Sequence, residues 1–161
     1  MSGIFTGSTN GHGAIGWRRD DLVDREVFER RLSRLETLIR DLRELAGRPD
    51  DAFLSDRGLQ AQAERWTHLA VECCLELANH LIADRGWPTP DTYRDGFRTL
   101  QLQGVIDEDL AMSMAGWAGL RNLLVHLYLD VDHALLYEIL GRDLHQLEAF
   151  AKAAQQELDR E

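Results

Sequence analysis

Apolar residues recur every three or four positions over most of the chain, which is the period of an amphipathic helix. The first such segment runs from Asp20 to Leu45 and ends at the Gly-Arg-Pro stretch of residues 47–49. A second segment runs from Ser55 to Ala83. It ends before residues 86–90, where two prolines and a glycine interrupt the helical pattern.

The C-terminal half predicts three further helices. One spans residues 92–103, and the next begins at Asp107, a residue type that caps helix N-termini, and continues towards Tyr128. The last starts at residue 130 or 132 and continues through Leu158, although Gly141 can bend or interrupt it. Because no segment has the alternating pattern of a strand, we expect an all-α fold, an antiparallel bundle of four to five helices.

The domain organisation is predicted to be simple. Residues 1–18 are rich in Gly, Ser, Thr and Asn, which is typical of a flexible arm or of one ordered by a partner. Residues 19–161 are predicted to form a single helical domain, because 161 residues with 44% hydrophobic content suit one core.

Charge and cysteine content restrict the binding partners and the cellular compartment that we expect for the protein. A net charge of −10 argues against general binding of nucleic acid, so any contact with RNA has to be local. Cys73 and Cys74 are adjacent in an apolar stretch, which predicts buried thiols in a reducing compartment. No segment approaches the ~20 apolar residues of a membrane span, and the first residues lack the pattern of a signal peptide. We therefore expect a cytoplasmic protein without a membrane partner.

Common catalytic and metal-binding signatures are absent from the sequence, namely a Gly-rich phosphate loop, paired CxxC motifs, HExxH and a nucleophile elbow. One polar line remains, with His68, Glu72, Glu76 and His80 spaced by four and Asn79 beside them. A carboxylate-bridged metal, as in four-helix oxidases, is one interpretation, but the Glu-x-x-His pairs of di-iron bundles are missing. A solvated helix face or the polar part of a dimer interface is the preferred interpretation.

Two other groups of residues are accounted for by ordinary structural roles. Arg30, Arg31 and Arg34 form a small basic patch among charges of both signs, which is typical of a solvated helix face. Trp66 and Trp117 fall on apolar stripes, where a role in the core is favoured over base stacking.

The stretch RNLLVHLYLD at residues 121–130 places Arg, Asn, His and Tyr in a helix that is otherwise aliphatic. Arg121 and Tyr128 are seven positions apart and lie on one line, and Asn122 and His126 are also neighbours. Arg121 and His126, however, are separated by roughly 140° on a straight helix. A single catalytic cluster therefore needs a helix that bends or ends there, or a second subunit.

The order Arg, four residues, His, one residue, Tyr, with Asn directly after the Arg, resembles the signature of the HEPN superfamily, and especially its HepT-like branch. The resemblance extends over CLELANHLIAD at 74–84, TYRDGFRTLQLQGVIDEDLA at 92–111 and YLDVDHALLYEIL at 128–140. Together these segments span about residues 55–150, so the N-terminal arm has no counterpart in it.

The resemblance implies a homodimeric, HEPN-like helix bundle that acts as the toxin of a toxin–antitoxin system. Proteins of this type are metal-independent endoribonucleases in which the Arg/His motifs of two subunits meet in a cleft, and the nuclease itself needs no cofactor. In this hypothesis His126 moves a proton, Arg121 binds the phosphate, and Asn122 orients His126 or the phosphate. These roles suit cleavage by the 2′-hydroxyl of RNA. The resemblance also implies that Tyr128 is AMPylated by an MntA-like nucleotidyltransferase antitoxin, which uses ATP and magnesium.

Two questions stay open at the level of sequence. An acidic chain has to bind RNA in a local basic cleft, for which Arg94, Arg98 and Arg121 are candidates, or recognise a structured RNA by shape. The alternative function is a non-catalytic helical subunit that binds the substrate of a nucleotidyltransferase. The intact pair of Arg121 and His126 favours the nuclease, because a scaffold does not need it.

Overall fold

The computed structural model describes residues 19–126 and 130–160, and these form six helices without a strand. The all-α prediction is confirmed. The helices are α1 (Arg19–Ala46), α2 (Asp50–Leu54), α3 (Arg57–Asp84), α4 (Tyr93–Leu102), α5 (Glu108–His126) and α6 (His133–Leu158). The arm predicted for residues 1–18 lies outside the described residues.

The central helix of the bundle is α3, which contacts each of the other five helices. Helix α1 lies against α3 and α6, and α5 lies against α3, α4 and α6. Fully buried aromatic side chains join the helices, since Phe97 of α4 packs edge-on against Phe150 of α6 with ring centroids 5.5 Å apart. The motif helix α5 is therefore held on three sides by its neighbours.

Side-chain caps and glycine turns account for the helix boundaries. Asp56, Asp107 and Asp132 each accept a hydrogen bond from a backbone N–H in the first turn of α3, α5 and α6, respectively. Gly86 and Gly104 follow α3 and α4 with φ of 64° and 76°, the left-handed conformation that glycine adopts without strain. The caps therefore fix where each helix meets the next loop.

Two local features differ from the sequence-based expectation. Helix α2 was not predicted, because it has only five residues, and it is anchored by the fully buried Phe53 rather than by a periodic stripe. Gly141 does not interrupt α6, because it lies on the exposed side while Leu140 and Leu144 stay buried on either side of it.

The predicted core residues are in place. Cys73 and Cys74 are buried, and burial raises the pKa of both thiols, well above the ordinary range for Cys74. Trp117 is buried and its indole Nε1 donates a hydrogen bond to Gln146 Oε1 at 2.9 Å, and Trp66 is half-buried against the core. Within the described part of the chain, no helix is long and apolar enough to cross a membrane.

Candidate nuclease site

The Arg-Asn-His motif occupies the last two turns of α5, and its residues face different neighbours. Arg121 points towards α3 and its side chain is only 21% exposed, because it contacts Glu72 there. His126 is the last residue of α5 and is exposed. The helix is continuous from Glu108 to His126, so the separation of about 140° between Arg121 and His126 persists within one chain.

The Arg121 guanidinium is held by two oxygen acceptors. Its Nη2 forms an ion pair with Glu72 Oε1 of α3, and its Nη1 donates to Asn122 Oδ1 at 3.0 Å. Arg121 Nε and Glu72 Oε1 are both buried and neither has a hydrogen-bond partner among the described residues, so the contact with Glu72 is an ion pair. Asn122 is therefore placed to orient Arg121, whereas the sequence left open whether it orients His126 or the phosphate.

The polar line of α3 corrects one sequence-based expectation. The sequence favours a solvated face or part of a dimer interface, and the solvated face is wrong for His68 and Glu72, whose side chains are only 26% and 28% exposed and lie beside Arg121 of the same chain. The physical reason is the charge of Arg121, which needs a partner on the half-buried side of α5. Two turns before Glu72, Glu64 Oε1 contacts His133 Nε2 of α6 at 2.5 Å, so the line extends to a third helix.

The C-terminal half of the same line has other contacts. Glu76 Oε2 pairs with Arg31 Nε of α1 at 2.8 Å, and the ring of His80 packs edge-on against Phe28 at 5.3 Å. Arg30 is likewise paired, with Glu26 at 2.8 Å, so two of the three arginines of the predicted basic patch are in ion pairs. Over the described ranges, no group of three or more His, Cys, Asp or Glu side chains is arranged to hold a metal ion.

His68 Nε2 lies 3.7 Å from the Glu72 oxygen that binds Arg121, which is too long for a hydrogen bond. Burial is the largest influence on His68 and lowers its pKa, while Glu72 acts in the opposite direction and Arg121 and Arg65 add to the lowering. A neutral His68 is therefore favoured, and Arg121 is the permanent cation next to Glu72.

The outward face of α5 is apolar and nearly free of side chains at its centre. Met112, Gly116, Gly119 and Leu123 follow one line of the helix at helical spacing, and His126 belongs to the same side. Met112 and Leu123 are 68% and 54% exposed, although large apolar side chains are ordinarily buried. We call Met112, Gly116, Gly119 and Leu123 the outer face of α5.

A groove of about 420 Å³ runs beside the outer face, between α4 and α5, and it is lined by Arg94, Arg98 and Glu108 among others. Arg94 lies across α5, where a Cβ added at Gly119 would come within 3.1 Å of Arg94 Nη2. Arg121 is absent from the lining of this groove. The predicted basic cleft is therefore divided within one chain, with two of its arginines beside the outer face and Arg121 on the side of α5 that faces α3.

Tyr128, the predicted modification site, lies outside the described residues.

Sequence reasoning missed two features of the site. The ion pair of Glu72 with Arg121 joins residues 49 positions apart, and only the polar spacing along α3 pointed towards it. The outer face was recognisable from its spacing of four, three and four residues, but its centre consists of glycines, which a search for apolar side chains passes over.

Two curated relatives are similar to this chain over most of its length. The mRNA nuclease HepT of Shewanella oneidensis is 22% identical over 125 residues, which are 78% of this chain and 93% of that protein. The tRNA nuclease HepT of Aphanizomenon flos-aquae is 23% identical over 130 residues, 81% of this chain and 88% of that protein.

A solved structure has the same fold. It is the tri-AMPylated HEPN toxin of Shewanella oneidensis in complex with an MNT antitoxin, with a TM-score of 0.75 at 22% identity, covering 81% of this chain and 97% of that one. The family model described as "Ribonuclease HepT-like" matches residues 35–154, which include the whole candidate site. The resemblance drawn from the motif is thus confirmed, and the chain belongs to the HepT-like ribonuclease family.

Proposed function

We propose that this protein is the toxin of a toxin–antitoxin pair and acts as a homodimeric endoribonuclease. The observation that carries the proposal is the arrangement of the motif on α5. Arg121 forms an ion pair with Glu72 of α3, whereas His126 is exposed on a different side of α5. A single chain presents each group separately, so a second copy is required to complete the site. The nuclease names of the relatives and the family match support the same activity.

The outer face of α5 is the proposed contact with the second copy. Gly116, where an added Cβ would meet nothing within 4 Å, allows close approach of a second helix, and the exposed Met112 and Leu123 lose contact with water when they are covered. A two-fold interface uses the same surface on both chains, so both copies of His126 are brought to it. The HEPN pattern, in which the motifs of two subunits meet in a cleft, is the basis for proposing that Arg121 of one copy acts with His126 of the other, since Arg121 itself lies on the α3 side of α5 and not on the outer face.

The reaction follows from the residue types. A histidine titrates near neutrality, so His126 is suited to take the proton of the 2′-hydroxyl or to give one to the leaving 5′-oxygen. Arg121 supplies a permanent planar cation for the phosphate oxygens as negative charge develops on them. The expected products are a 2′,3′-cyclic phosphate and a 5′-hydroxyl, formed without a metal ion and insensitive to chelator.

The RNA is expected to be bound locally. Arg94 and Arg98 line the groove beside the outer face, and neither forms an ion pair among the described residues, so their charges are available to phosphates. This arrangement allows binding despite the net charge of −10. The relatives are named for different RNAs, an mRNA and a tRNA, so the proposal extends to RNA as a class.

Neutralisation is proposed to occur through a nucleotidyltransferase antitoxin that transfers AMP from ATP, with magnesium, to Tyr128. The support is the AMPylated state of the similar toxin and its complex with an MNT antitoxin, together with the position of Tyr128 two residues after His126. An added nucleotide brings a bulky anion next to the proposed phosphate site and excludes RNA by occupancy and charge.

The experiment is expression with and without the antitoxin, followed by sequencing of RNA ends. We expect growth arrest that the antitoxin relieves, 5′-hydroxyl ends in the unprotected cells, and loss of both effects in Arg121→Ala and His126→Ala. A wild-type protein that leaves RNA intact, or variants that cleave as well as wild type, would favour the non-catalytic subunit of a nucleotidyltransferase instead.

A further inference from the structure

Glu72 is the residue of α3 that touches the nuclease motif directly. We propose that Glu72 is a positioning residue, which holds the Arg121 guanidinium in the orientation that binds the scissile phosphate. The inference rests on the proposed function, because it assigns a role in the same site. It adds α3 to a site that the motif on α5 does not by itself define.

The first argument is the geometry at Arg121. The Glu72 carboxylate forms an ion pair with Nη2, and the Asn122 amide oxygen accepts a hydrogen bond from Nη1 at 3.0 Å, so one charge contact and one hydrogen bond hold two of the three nitrogen atoms. A planar guanidinium bound at two nitrogens has a defined plane, which a single contact does not provide. Donor N–H groups remain on both terminal nitrogens, since each carries two hydrogens.

The second argument is burial. The side chains of Arg121 and Glu72 are 21% and 28% exposed, so the pair is largely protected from water and from screening by salt. Arg121 Nε is buried and has no hydrogen-bond partner among the described residues, so it contributes nothing to the orientation. Without Glu72 the guanidinium keeps only the contact with Asn122, its own neighbour in sequence, and loses its anchor to α3.

The third argument is that Arg121 is the charged partner of Glu72. His68 is the other candidate, but its Nε2 is 3.7 Å away and burial favours its neutral form. Positioning matters for catalysis because a cation fixed before the reaction stabilises developing charge without reorganisation.

The same helix offers a matched control. Glu76 lies one turn after Glu72 and pairs with Arg31 of α1 at 2.8 Å, with side chains 48% and 36% exposed. It is therefore the same residue type, on the same helix, in an ion pair that does not involve the motif. Substitutions at Glu72 and Glu76 separate an effect on Arg121 from a general effect of removing a carboxylate from α3.

The experiment measures kcat and KM for RNA cleavage by the full-length chain carrying Glu72→Ala, Glu72→Gln or Glu76→Ala. We expect Glu72→Ala to lower kcat by about 10- to 100-fold, as misplacement of a reacting group does, with KM changed by less than about threefold. Glu72→Gln keeps the oxygen acceptor and is expected to recover most of the loss, to within about tenfold of wild type. Glu76→Ala should stay within about twofold of wild type.

Two further variants test whether Glu72 acts through Arg121 in a folded protein. In the Arg121→Ala background, Glu72→Ala should change the residual rate by less than about twofold, because the group that Glu72 positions is already absent. If Glu72→Ala fails to fold, Glu72→Asp replaces it, since its shorter carboxylate should lower kcat at unchanged KM in a folded dimer.

The outcomes distinguish this inference from the proposed function. Wild-type protein without RNA cleavage, or His126→Ala with full activity, contradicts the proposed function. Cleavage that depends on His126 but is unchanged in every Glu72 variant overturns the positioning role alone. A higher kcat in Glu72→Ala also overturns it, because Glu72 would then restrain Arg121 rather than position it.

Discussion

Arg121 and His126 project from the continuous helix α5 in directions about 140° apart, the first onto Glu72 of α3 and the second into solvent beside the outer face of α5. Two residues proposed to act on one phosphate are therefore presented in different directions by a single chain. In the proposed function, dimerisation is therefore part of the chemistry.

The outer face is expected to control both assembly and activity. Met112→Glu places a carboxylate in the proposed interface, and a buried unpaired charge costs about 3–5 kcal/mol, so the dimer Kd should rise by ~100-fold or more. The fraction of dimer, measured by sedimentation velocity, and the rate of RNA cleavage should decline together. Leu54→Glu is the matched control, because Leu54 is 45% exposed on the distant α2 and its substitution should change neither. A monomeric Met112→Glu protein with full activity would contradict the role of the second copy.

The modification of Tyr128 is expected to depend on its hydroxyl. Tyr128→Phe should cleave RNA but gain no AMP mass when it is produced with the nucleotidyltransferase, ATP and magnesium. Its growth arrest should then persist in the presence of the antitoxin. Intact-mass spectrometry measures the modification, and wild-type protein is the control. AMP added to the Phe variant to the same extent as to wild type would place the modification on another residue.

The aromatic contact between Phe97 and Phe150 is expected to stabilise the bundle. Both rings are fully buried, so Phe150→Ala should lower the free energy of unfolding by about 3–5 kcal/mol through lost burial and a cavity. Chemical denaturation in the His126→Ala background avoids toxicity during expression. Leu135→Ala is the control, because Leu135 is 49% exposed and its truncation should cost much less. Equal losses in the two variants would contradict the packing described for α4 and α6.

Stability is expected to depend on pH through His68. Burial lowers the pKa of His68 below its ordinary value of 6.5. Below that pH the unfolded chain binds a proton that the folded chain does not, so the contribution of His68 to stability falls as the pH is lowered, by less than about 1.4 kcal/mol per pH unit.

The measurement is the free energy of unfolding of wild type and His68→Gln between about pH 5 and 8, where histidine titrates. The stability of wild type relative to the variant should decrease towards the acid end, because glutamine does not titrate. A difference that is constant across this range would show that His68 is not perturbed by its surroundings.

The long helices were predictable because periodicity and caps are local properties. Asp107 alone, for example, indicated where the motif helix begins, and Asp107 Oδ1 does accept a hydrogen bond from the backbone N–H of Leu110 at 2.8 Å. The motif of Arg121 and His126 also indicated the family, and helix geometry alone predicts that the two side chains point apart unless the helix bends or a second subunit completes the site. These inferences required no knowledge of how the helices pack.

The contacts between helices were not predictable in the same way. The sequence favours a solvated face or a dimer interface for Glu72, since nothing in it shows which face of α3 meets α5. Its partner Arg121 lies 49 positions away, and only the packing of the two helices brings them together. Helix α2 was missed because five residues are too few to express a period.

The most direct test of the account is complementation between inactive subunits. Arg121→Ala and His126→Ala proteins are mixed, exchanged into heterodimers, and assayed for RNA cleavage against each variant alone. If Arg121 of one copy acts with His126 of the other, each heterodimer regains one of two sites, and a random mixture should reach about one quarter of wild-type activity. Heterodimers that form, as mass measurement confirms, but remain as inactive as the separate variants would contradict a site shared between two copies.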